Sequence, residues 1–193
     1  TWPKSRWSVY RVSDRPGSLE FVQGGPYGHI GRKGDSIPTV SVRALRVDDL
    51  MAEVGWDRVD FIKMDDMSRP YDAHAAEIEA AHAAIGKTGR PMMLSLSPGE
   101  TPVIRGEHVS RYAQMWRISD DFWDEWAMLD AQFVRLENWN PWRRPGAWPD
   151  ADMLPLGRLA LGDRDTRFTA AEQKTGLKLW PIARPPQILG GGA

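Results

Sequence analysis

The chain has no cysteine. That excludes disulfides, thiolate metal sites and cysteine nucleophiles together, and it is compatible with the cytoplasm without excluding export. No apolar run of about 18 residues occurs, so nothing reads as a membrane-crossing helix. The opening Thr1-Trp2-Pro3-Lys4 has neither the basic start nor the apolar centre of a signal peptide. Localisation stays open between a cytoplasmic protein and an exported one whose leader is absent. Charge of one sign is lacking too: 25 basic residues against 26 acidic ones leave a net charge of −1, with no field for nucleic acid. Histidine is scarce, and His29, His74, His82 and His108 show no ligand spacing among themselves. No metal requirement is expected.

What is present is a 193-residue chain with 41% apolar content, long enough for one domain with a real core or for part of a larger one. Tryptophan is abundant, and Trp116, Trp123, Trp126, Trp139, Trp142 and Trp148 crowd into one stretch. Such rings stack on the C–H faces of sugars, or they build an aromatic core. Carboxylates lie among apolar side chains at Phe61 to Met67, Ile118 to Trp126 and Trp148 to Met153. Acids against apolar walls suit carbohydrate chemistry, which needs one carboxyl group protonated and another ionised.

Two regions differ in pattern. Residues 1–55 read as a β-rich segment: Trp7 to Val12 and Ser18 to Val22 alternate around Asp14-Arg15-Pro16-Gly17 as a hairpin. A glycine-rich loop follows from Gly24 to Gly34, then a strand at Thr39 to Val42 and a short helix from Val47 to Val54. Residues 56–193 read as β/α. Strands are expected at Val59 to Met64, Pro91 to Leu96 and Met115 to Ile118, and a helix from Ala73 to Ile85 stopped by Gly86. A longer helix is expected from Phe122 to Trp139, with Phe122, Trp126, Leu129, Phe133 and Leu136 as its apolar stripe. A capping box, Thr169 with Glu172, opens the last helix, and Gln187 to Leu189 is a candidate final strand. Alternating strands and helices imply an α/β fold with a parallel sheet, open or closed into a barrel.

In such sheets chemistry gathers at the carboxyl ends of the strands, where all three acidic clusters fall. Lys63 and Asp65 are two apart on one strand and share a face, so the ammonium favours an ionised Asp65, while Asp66 points the other way. An ordinary ion pair is the plainer reading of Lys63 and Asp65. Arg117 and Asp121 are four apart across a predicted helix start. Asp120 is placed to cap that helix, which leaves Asp121, beside Phe122, free to act as a general acid. Asp150-Ala151-Asp152 matches the short D-x-D pattern of metal-dependent glycosyltransferases, a pattern common by chance.

Five ordered blocks, FIKMDDMSRPY, KTGRPMMLSLSPG, EHVSRYAQMWRISDDFWDEW, PGAWPDADMLPLGRL and TRFTAAEQKTGLKLW, resemble the melibiase-type glycoside hydrolases of family 27, which include α-galactosidases. The resemblance runs from about Val59 to Gly191. It implies a (β/α)8 barrel of which this chain carries a partial or remodelled form, with strands four to eight after an N-terminal hairpin segment. It further implies Asp65 as nucleophile, Asp121 as acid/base, and Lys63, Asp66, Arg117, Trp148, Asp150 and Asp152 around the sugar, with Glu100 near a specificity position. No cofactor is implied, and the partner is a carbohydrate. The mechanism would be retaining, with carboxyl groups roughly 5–5.5 Å apart.

Residues 1–65 also resemble part of an FkbM-type methyltransferase. The resemblance rests on Val42-Arg43-Ala44-Leu45, Val47-Asp48-Asp49-Leu50 and the strand VDFIKMD. Gly25 to Gly31 is a poor S-adenosylmethionine loop, because no helix pattern follows it. Nothing in residues 1–58 supplies the tryptophan and adjacent aspartates of the glycosidase family's first β/α units. Three readings stand: a retaining glycosidase crippled by a missing half-barrel, a non-catalytic half-barrel scaffold or hybrid, and a methyltransferase. Open sheet edges make self-association plausible.

Overall fold

The computed structural model describes residues 11–12, 17–22, 29–30, 39–45, 49, 52–53, 59–67, 70–97, 99–159 and 164–192. The chain divides into two units, Thr1–Val59 and Asp60–Ala193.

In the first unit β1 (Arg11–Val12), β2 (Gly17–Val22), β3 (His29–Ile30) and β4 (Thr39–Leu45) form one sheet in the order β1-β4-β2-β3. β2 runs antiparallel to β4 from Gly17↔Ala44 to Val22↔Thr39 and antiparallel to β3 at Phe21↔Ile30. Arg11–Val12 pairs with β4 in parallel, so the hairpin expected between it and Ser18 to Val22 does not form. A strand has two edges, and β4 and β3 occupy both edges of β2. Trp7 to Tyr10 and most of the glycine-rich loop lie outside the described residues. So does most of the helix expected over Val47 to Val54, of which Asp49, Ala52 and Glu53 are described and helical.

The second unit is built on four parallel strands in sequential order: β5 (Phe61–Met64), β6 (Met93–Leu96), β7 (Met115–Arg117) and β8 (Trp148–Asp150). The helices α1 (Tyr71–Lys87), α2 (Gly106–Tyr112) and α3 (Trp126–Trp139) connect them. Alternation along the strands sorts the side chains. Leu94, Leu96, Trp116 and Ile118 enter the buried core with Ile78, Leu129 and Trp139. The intervening Lys63, Ser95, Met115 and Trp148 are in register with one another and share the opposite face. α1 is seamed to α2 by Tyr71 and His108, whose Oη and Nδ1 lie 2.8 Å apart, and by His82 Nδ1 donating to the Tyr112 carbonyl at 2.9 Å.

α1 passes through Gly86, and the turn comes at Gly89 with φ +68°. α3 starts at Trp126, four residues later than expected. The cause is tertiary: Phe122 is buried outside the helix, stacked on Trp180 at 5.6 Å and near Phe168 at 6.1 Å. α3 accordingly buries Leu129, Gln132, Leu136 and Trp139 and leaves Trp126 (48%) and Phe133 (43%) exposed. At about 100° per residue the buried face is rotated by roughly 60° from the expected stripe. Glu125 occupies the N-cap without a side-chain bond, so Asp120 is not the cap.

β9 (Arg158–Leu159), β10 (Arg164–Asp165) and β11 (Gly191–Gly192) form a small antiparallel sheet around α4 (Ala170–Ala183). The Thr169–Glu172 capping box forms as expected. Leu189 makes only a lone bridge to Leu154, and regular pairing begins at Gly191, where a Cβ would strike the carbonyls of Leu156 and Arg158.

Candidate active site

Register carries the site. Because Lys63 pairs with Ser95, Ser95 with Met115, and Arg117 with Asp150, the next row toward the carboxyl ends is Asp65, Ser97, Arg117 and Asp150 on one face. Asp65 follows β5 directly, and Ser97 N–H donates to the Met64 carbonyl at 2.7 Å, extending the ladder to that row. Lys63, Asp65 and Asp66 are exposed. Asp66 has φ +60°, so the chain leaves the sheet immediately after Asp65.

Arg117 is the hub. Only 2% exposed, it donates to Asp121 Oδ1 at 3.3 Å and forms an ion pair with Asp152 Oδ1 at 3.0 Å, and its buried Nε has no partner. Beside it Asp150 is 3% exposed. Burial pushes the Asp150 carboxyl up to about 6, against the opposing pull of the Asp152 N–H, the Arg117 guanidinium and the Lys63 ammonium. Lys63 therefore acts electrostatically across the face from β5 to β8. Burial also raises Asp152, opposed by Arg117 and by the N–H of Phe122.

Asp152 is built into the protein on both oxygens. Oδ1 meets Arg117, while Oδ2 accepts the Phe122 N–H at 2.7 Å. Its backbone is left-handed, φ +71°, and its own N–H is held by Asp150 Oδ1 at 2.9 Å. Asp152 thus also grips the segment that carries Asp121. Glu100 accepts from Arg135 of α3 at 3.3 Å. Trp148 sits one pleat below Asp150 and lines an apolar cavity of about 600 Å³ with Met93, Met115, Pro181 and Arg184 to Gln187.

Sequence reasoning passed over Gln132 and Asp124. The Gln132 amide, buried in α3, donates to Ser119 Oγ and to the Ala151 carbonyl, both at 3.1 Å, and so ties the ends of β7 and β8 together. A polar residue three positions from Leu129 on the buried face was the available signal. Asp124 is fully buried, and Arg164 holds its carboxyl well below the usual carboxylate range. Among the described residues no group of three His, Cys, Asp or Glu side chains converges as a metal site.

The profile of the family described as Alpha galactosidase A, Melibiase_2, matches residues 25–191. Similar solved structures include a glycoside hydrolase family 27 β-L-arabinopyranosidase from Geobacillus stearothermophilus. It is 37% identical with a TM-score of 0.66, over 88% of this chain and 44% of that one. Similar curated proteins include an α-N-acetylgalactosaminidase from Gallus gallus, 28% identical over 84% of this chain and 40% of its own length. Alpha-galactosidase 3 from Arabidopsis thaliana is 25% identical over 75% of this chain and 31% of its own. The chain spans less than half the length of each of these relatives. The neighbours are (β/α)8 barrels, and the four parallel strands cover part of such a barrel. The family match begins at residue 25, well upstream of Val59, and so takes in most of the stretch for which a methyltransferase likeness was expected, a likeness the comparisons do not show.

Proposed function

The chain belongs to the Alpha galactosidase A family of glycoside hydrolases, and from that premise we propose that it carries the acid/base and nucleophile side of a retaining glycosidase site for galactose-like pyranosides. Asp65 attacks the anomeric carbon and Asp121 protonates the leaving oxygen. Lys63, Arg117 and Asp152 hold sugar hydroxyls, with Asp150 beside them and exposed Asp66 at the rim. The observation that carries this is the shared face: Asp65, Arg117 and Asp150 line one row at the carboxyl ends of parallel strands, and Arg117 reaches Asp121. That is where β/α sheets do chemistry.

The relatives' names mark out a substrate class: α-galactosides, α-N-acetylgalactosaminides and β-L-arabinopyranosides. All three share the galacto arrangement of ring hydroxyls and differ at the acetamido or hydroxymethyl group. The test is hydrolysis of the three nitrophenyl glycosides by the purified chain and by Asp65→Asn. Turnover of at least one by the parent, falling on the order of a thousandfold or more in the variant, supports the reading. Equal rates remove Asp65 from the mechanism.

A second reading, a partial barrel that binds sugar without turning it over, is favoured by the four-stranded extent of the parallel sheet. Saturable sugar binding by an inactive parent would select it. β5 ends the described sheet with Phe61 half exposed, so self-association through this edge belongs to the same reading. S-adenosylmethionine binding is not proposed, since the family match takes in residues 25–58.

A further inference from the structure

Asp121 sits in a segment, residues 121–125, that is neither strand nor helix. Side chains at both of its ends help to place it. Arg117 and Asp152 hold it at Asp121 and at the Phe122 N–H. At the other end Asp124, fully buried, receives Arg164 Nη1 at 2.6 Å and Nη2 at 2.8 Å, the Arg167 N–H at 2.6 Å and Arg167 Nη2 at 3.3 Å. Four donors saturate the acceptor capacity of one carboxylate. The two-pronged Arg164 contact also fixes its plane as well as its position. Both arginines lie 40 or more residues downstream, Arg164 on β10 and Arg167 just before α4. The clamp therefore ties the segment to a different part of the unit.

We propose that Asp124 is a positioning residue for Asp121: anchored by Arg164 and the Arg167 main chain, it holds residues 121–125 so that the Asp121 carboxyl meets the leaving oxygen. The proposal rests on the glycosidase reading for what Asp121 does, but not for the anchor itself. Asp124 is three residues from Asp121, at most about 10 Å along the chain, and makes no contact with the reacting atoms. Its effect is geometric, and a misplacement of about 1 Å can cost on the order of a hundredfold in rate.

The leaving group separates positioning from stability. Protonation by Asp121 matters for a poor leaving group such as an alkyl or unsubstituted phenyl glycoside, and hardly for a 2,4-dinitrophenyl glycoside. Asp124→Asn and Arg164→Gln are each compared with the parent on both substrates, at temperatures where circular dichroism shows them folded. Arg164→Gln is the gentler change, because the Arg167 N–H stays on Asp124. The expected result is a loss of roughly 10- to 100-fold in kcat/KM, which reports the glycosylation step, on the poor leaving group and less than about threefold on the activated one, with Arg164→Lys in between. Equal losses on the two substrates, or no loss on the poor one, overturn the proposal. Hydrogen exchange at the Phe122 amide gives an arm independent of activity. It should speed up in both variants while the amides of Leu94 and Leu96 keep their protection, and an unchanged Phe122 amide overturns the anchor. A parent that hydrolyses neither substrate overturns the glycosidase reading alone, and the exchange arm then decides whether Asp124 anchors the segment.

Discussion

Asp152 accepts the main-chain N–H of Phe122 at 2.7 Å, so a carboxylate following β8 holds the residue next to Asp121 following β7. Together with the Gln132 amide, this side chain, carried on a left-handed backbone, locks the two strand ends.

Replacing Asp152 should therefore separate its two duties. Asp152→Asn tolerates the left-handed backbone and keeps an oxygen for the Phe122 N–H, at a cost of about 1–2 kcal/mol for weakening the Arg117 contact. Asp152→Ala adds a left-handed strain of about 1–2 kcal/mol and leaves a buried N–H and guanidinium unpaired. Urea denaturation should rank the chains as parent, Asn, Ala, and a reversed order would show that neither contact matters to stability.

Stability against pH should carry two opposite signatures. The Asp150 carboxyl is pushed up to about 6 by burial, so between about 4 and 6 the unfolded chain has released this proton while the native one still holds it. Stability should fall as pH rises through that window, by at most about 3 kcal/mol. Asp124 is shifted the other way by Arg164. Its contribution is present above about 4 and is lost as pH falls below that value. Urea midpoints from pH 3 to 7 should lose the first slope in Asp150→Asn and the second in Asp124→Asn.

If Asp65 attacks and Asp121 protonates, the sugar released first keeps the substrate's anomeric configuration. Proton NMR of the early product settles this, and an inverted product would require a water between the two carboxyl groups. Lys63→Met should lower turnover less than Asp65→Asn, since it removes a positioning donor and not the attacking atom.

Gly106→Ala should be destabilising although it lies in α2. Alanine gains about 1 kcal/mol over glycine in an open helix, but a Cβ at Gly106 would strike the indole ring of Trp142. Thermal unfolding should give a lower Tm than the parent's. A higher one would mean that Trp142 moves aside freely.

The β/α rhythm, the strand face shared by Lys63 and Asp65 and the Thr169–Glu172 cap were legible in the amino-acid order, because each depends on residues a few positions apart. The family blocks likewise marked the barrel type, because they are local stretches of sequence. Other features hang on partners 30 to 58 residues away. Phe122 leaves the helix for Trp180, Glu100 turns to Arg135, Asp152 spends its oxygens on Arg117 and Phe122, and Asp124 is claimed by Arg164. Periodicity placed a helix around residues 122–139, but its start and the face it buries were decided by what packs against it. Local sequence determines which elements form and what chemistry they can bear. Only tertiary packing decided which carboxylates stay open to a ligand and which are consumed in holding the site together, since a carboxylate's availability depends on the donors that reach it first.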